Sequence, residues 1–110
     1  MGFAANQARL LGLISRQRDL ELESHFISQH RLYLANAMST FFNMQAKLEP
    51  GSEAAKILDA RIKQLQQADK VLELHANRIQ SQSKAIETEI QSVRQVLNKS
   101  IESSFGLMGK

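Results

Sequence analysis

The sequence predicts an all-α protein, a long antiparallel helical hairpin with coiled-coil-like packing, bent at Pro50-Gly51. Three observations predict it. Helix formers (Leu, Gln, Ala, Lys, Arg, Glu) dominate both halves of the chain. The one proline stands beside a glycine near the middle of the 110 residues. Apolar residues recur in alternating steps of three and four on both sides of that break. β-branched clusters and hairpin turn pairs are missing. A chain of this length reads as one domain, residues 1–110, with helix 1 over about 3–48, the bend at 49–52 and helix 2 over about 53–104.

The bend comes first because it orients the rest. In "KLEPGSEAAK", residues 47–56, Pro50 cannot continue a helix and Gly51 can take the left-handed conformation that ends one. Ser52 can then cap the next helix, with Glu53 in its first turn favourable to the macrodipole. A helix stop is followed directly by a helix start.

Helix 2 carries the clearer seam. Leu58, Leu65, Leu72, Ile79, Ile86 and Val93 form one apolar column, and Ile62, Asp69, Ala76, Ser83, Ile90 and Leu97 form its weaker companion. Beyond Leu97 the step changes to Ile101 and Phe105, so the stripe drifts from the strict heptad. Helix 1 has the column Leu13, Leu20, Ile27, Leu34, Phe41 and Leu48, with the companion Leu10, Gln17, Ser24, Arg31, Met38 and Gln45. Folding at Pro50-Gly51 lays the seams antiparallel. An alignment in which paired residue numbers add to about 103 sets Phe41 by Ile62, Leu34 by Asp69, Leu20 by Ser83 and Gln17 by Ile86, so that each weak position meets a large apolar one. It also puts Arg31 and Asp69 in adjacent layers, where they are expected to form a salt bridge that fixes register more than it stabilises.

One seam does not use up the apolar surface. Leu22, Phe26, Tyr33, Ala37 and Met44 make a second stripe about a quarter turn from the helix 1 seam, and Phe42 adds to it. Ile57, Val71 and Leu74 lie off the helix 2 seam. Both ends, "GFAANQARLLGLI" and "IESSFGLMGK", are apolar, and the hairpin brings them together. Exposed patches of this kind mark partner surfaces. The expected self-assembly contacts are Phe3, Leu10, Leu22, Phe26, Tyr33, Phe41, Phe42, Met44, Phe105, Leu107 and Met108.

Composition narrows the function classes. Apolar residues make up 43% and charged residues 23%, which fits neither a disordered chain nor a membrane span. With no cysteine there is no disulfide, thiolate nucleophile or Cys-ligated metal. Fourteen basic residues are dispersed among eleven acidic ones, net +3, so no nucleic-acid footprint emerges and an amphipathic membrane helix is disfavoured. The start reads poorly as a signal peptide, and Asn6 stands where myristoylation wants Ser or Thr. His25 and His30 are five apart, not the four that shared metal ligation on a helix needs. Asp19, Glu21 and Glu23 splay around a helix and do not converge. Asn98-Lys99-Ser100 matches a glycosylation triplet but lies on a predicted helix. No catalytic residue, cofactor site or metal site is expected, and the chain is not expected to be an enzyme.

Long helix, proline-containing bend, long helix, adjacent ends and no cysteine: in this layout the chain resembles the helical-hairpin subunits of bacterial secretion filaments, the needle proteins of type III secretion. It departs from them in having "EPGS" where a Pro-Ser-Asp-Pro-like turn is usual, and in its greater length. Separately, "MGFAANQARLLGLISRQRDLE" followed by "ISQHRLYLA" is similar to the opening of a group of uncharacterised bacterial proteins. Met1, Gly2, Ala4, Ala5, Gln7, Ala8, Arg9, Leu11 and Leu13 fall in the shared pattern. That group carries no assigned activity. The expectation is therefore a structural protein that pairs with itself as a homo-oligomer or filament, extracellular or on the cell surface. The alternative is a cytoplasmic coiled-coil adaptor or helical chaperone that binds a different protein.

Overall fold

The computed structural model describes residues 2–108. Among them the chain forms α1, Phe3–Ala46, and α2, Glu53–Met108, with no strand. The fold is a helical hairpin.

The connection is longer than the sequence suggests, residues 47–52 in place of 49–52. α1 ends at Ala46, two residues before the expected boundary, because the residue preceding a proline is pushed out of the α region and the chain prepares for this a turn ahead. Lys47 N donates to Met44 O and Leu48 N to Gln45 O, both at 3.1 Å, the three-residue bonding that narrows a last turn. Ser52 N then donates to Glu49 O at 3.2 Å, which closes a four-residue turn with Pro50 and Gly51 at its centre. Gly51 has φ +81°, as the third residue of a type II turn requires. It serves the reverse turn and not, as expected, the helix C-cap. A Cβ on Gly51 would meet nothing within 4 Å. Gly51→Ala is therefore expected to cost only the backbone strain of a left-handed alanine, about 1 kcal/mol, read as a lower urea midpoint with an unchanged slope.

Ser52 starts α2. Its Oγ accepts from Ala55 N at 3.2 Å, satisfying one of the unpaired N–H groups of the first turn, and its carbonyl accepts from Lys56 N at 3.0 Å, the first bond of the helical ladder. α2 runs on to Met108, about one turn past its expected end, since no proline follows to stop it.

The chain divides into two compact units, Met1–Leu22 with Ile79–Lys110, and Glu23–Arg78. In the unit that contains the bend, Ile27, Leu34, Ala55 and Ile62 are buried, and Phe41, Leu58, Leu65 and Leu72 are half-buried. In the other, Leu20, Ile79, Val93 and Leu97 are buried, with Leu10, Leu13, Ile86 and Ile90 half-buried. Every residue of the four columns is thus at least partly covered, except Ser24.

The register differs from the expected one by three residues. Gln17 bonds Ser83, Arg31 bonds Asp69, and Gln45 reaches the carbonyl of Ala55. In each pair the residue numbers add to 100, not about 103. The outcome reverses the expected complementarity: weak positions face weak positions. In this alignment Leu34 falls within one residue of Leu65, Ile27 of Leu72, Leu20 of Ile79 and Leu13 of Ile86. The physical reason is that polar side chains placed opposite one another can exchange hydrogen bonds. Set against leucine or isoleucine, each would be desolvated with nothing in return.

Candidate interaction surface

Arg31 and Asp69 are the only expected site residues with a polar role, and the structure brings them together. Arg31 Nε donates to Asp69 Oδ1 at 2.8 Å and its Nη2 to Oδ2 at 3.2 Å, a two-pronged bond across the seam. About a third of Arg31 and a quarter of Asp69 stay exposed, so water screens the pair from the sides. The hydrogen bond from Arg31 holds the Asp69 carboxyl below its usual value of 3.8, and the bond to Asp69 likewise raises the Arg31 guanidinium. Because Asp69 is depressed in the folded chain, its stabilisation is complete above pH 3.8 and is lost as pH falls below it. The expected result is that Asp69→Asn melts below the native chain at pH 6, and that this gap narrows as pH falls below 3.8. Melting curves followed by circular dichroism on either side of that pH check it.

Two weaker bonds flank the seam. Arg9 Nη2 meets Glu89 Oε2 at 3.5 Å, and His75 Nε2 lies 3.1 Å from Glu23 Oε1. All four side chains are about half exposed, and such pairs contribute little.

Outside the seam large apolar side chains stand in water. In the bend unit, Phe26, Tyr33, Ile57 and Val71 are each more than half exposed, and each immediately precedes a seam residue: Ile27, Leu34, Leu58 and Leu72. That shared position fixes their direction. Two antiparallel helices are related by a two-fold axis, so equivalent heptad positions on both fall on one side of the pair. Phe26 and Tyr33 from α1, with Ile57 and Val71 from α2, therefore line the same side as the Glu23–His75 bond. Phe42 and Met44 are also exposed, whereas Ala37, expected in the second stripe, is half-buried. A shallow notch of about 330 Å³ beside Tyr33 is lined by Asn36, Ala37, Thr40 and Phe41.

In the other unit Phe3, Leu22 and Phe105 are exposed. Phe3, Ile101 and Phe105, with Ser100 and Ser104, bound a notch of about 250 Å³ whose walls are mostly apolar. Leu107 and Met108 belong to the last turn of α2, and their side chains lie outside the described residues. Leu10 and Phe41 need correction: both are half-buried in seam columns, so most of their surface is used within the hairpin. Leu11, Leu32 and Val96 were not expected, and all are largely exposed. Leu11 and Leu32 each follow a companion-column residue, Leu10 and Arg31, a repeat visible in the sequence once the seam is assigned.

Among the described residues no group of three His, Cys, Asp or Glu side chains could hold a metal ion. No helix of those residues is long and apolar enough to cross a membrane. No protein family model, curated protein or solved structure matches this chain. What the surface does has to be argued from its geometry.

Proposed function

We propose that this protein is structural: a helical hairpin that assembles with further copies of itself, as the subunit of a secreted or surface filament. The observation that carries the reading is the row formed by Phe26, Tyr33, Ile57 and Val71, large apolar groups left in water at one repeating position on both helices. A hairpin whose columns already close on one another has no internal use for that row. Burying four such side chains would contribute on the order of 1.5–3 kcal/mol each before the cost of association. The apolar notch bounded by Phe3, Ile101 and Phe105 offers a second contact. The layout resemblance to needle subunits of type III secretion supports a filament over a closed ring.

The test is light scattering and negative-stain microscopy over a concentration series, on the native chain and on Phe26→Glu/Tyr33→Glu. Mass that rises with concentration, with filaments at the upper end, is expected for the native chain. The double variant should keep its helicity and remain a monomer. A native chain that stays monomeric at millimolar concentration sinks the proposal.

A further inference from the structure

We infer that the unit without the turn, Met1–Leu22 with Ile79–Lys110, opens as one cooperative segment while Glu23–Arg78 stays closed. The two units are unequally secured. In Glu23–Arg78 a hydrogen-bonded turn joins the helices covalently, and the two-pronged Arg31–Asp69 bond crosses the seam. In the other unit no turn joins the helix segments among the described residues, and the cross-seam bonds are poorer. Arg9–Glu89 is long and half exposed. Gln17 donates through Nε2 to Ser83 Oγ at 2.9 Å, but its Oε1 is buried with no hydrogen-bond partner. Asn6 occupies a buried position within one residue of Val93 in the register, where an apolar residue would pack.

An unpaired buried acceptor is desolvated in the closed state and hydrated in the open one, so it favours opening. That penalty falls in this unit. Its opening free energy is therefore lower than that of the whole chain, as for any weakly secured cooperative segment. Opening would expose Leu13, Leu20, Ile79, Ile86 and Val93, the apolar column of that unit. The inference does not depend on self-assembly.

Hydrogen exchange of the full chain, resolved by segment and read at low micromolar concentration, tests it. Protection is expected to change in a step between residues 22 and 23 and between 78 and 79, at least roughly tenfold lower throughout 9–22 and 79–97 than in 27–44 and 56–72. Simple fraying would give a smooth gradient along both helices instead, and that result overturns the inference, as does equal protection in the two units. A second readout is Ile62→Val, which weakens the bend unit at a buried position. It should lower protection severalfold across 27–44 and 56–72 and leave 9–22 and 79–97 unchanged, because the bend unit stays closed when the other opens. An equal fall in both units means that they open together, and the inference fails.

Discussion

Leu34→Ala is expected to lower the unfolding free energy by about 2–5 kcal/mol, whereas Leu32→Ala, two residues away, should change it by less than about 0.5 kcal/mol. Leu34 is 5% exposed and falls within one residue of Leu65 in the seam, while Leu32 is 62% exposed. The large substitution loses the transfer energy of three buried carbons and leaves a void that two helices, with no third layer behind them, refill only in part. The small one removes a leucine from water and puts the best helix former in its place. With total stability ordinarily about 5–15 kcal/mol, the first change is a large fraction of the whole. Urea unfolding of the two variants side by side is the measurement. Equal midpoints would show that the columns do not bury what the register requires.

Gln17→Met combined with Ser83→Ala is expected to stabilise the chain by up to about 2 kcal/mol, although it deletes a hydrogen bond. The bond between Gln17 Nε2 and Ser83 Oγ contributes about 1 kcal/mol, and leaving Gln17 Oε1 buried without a partner costs about 1–3 kcal/mol. Methionine fills nearly the volume of glutamine, so the layer keeps its shape. Ser83→Ala alone should have the opposite sign. It strands the amide as well as the carbonyl of Gln17 and lowers stability by about 1 kcal/mol. A single and a double variant that move the melting temperature in opposite directions check the assignment.

Much of the fold was legible in the sequence, and the reason is simple. Periodicity reports which residues share a helix face, and it identified both columns of both helices. Proline and glycine report where a helix must end, and they placed the bend. Ser52 was recognisable as a cap because its hydroxyl is the right length to accept from a first-turn amide. Register was not legible. Alignments adding to 100 and to about 103 both bring the four columns together, and apolar spacing alone does not choose between them. The choice lies with Gln17, Ser83, Arg31 and Asp69, whose bonds need facing partners. Of the surface, Phe26 and Tyr33 were legible because their stripe lies beside the seam. Leu10 and Phe41 were misjudged because they lie in it.

The Glu49–Ser52 turn has one more consequence. Gly51 has open space around it, so what the turn is made of matters modestly. Insertions differ inside and outside the helices. A residue added within α2 rotates everything after it by about 100°, so one inserted between Glu53 and Ile62 would swing Ile62 out of phase with Met38. One added to the turn is not helical and is absorbed there at a small cost in closure entropy. The turn is thus where this chain can lengthen without disturbing the apolar edges that face one another.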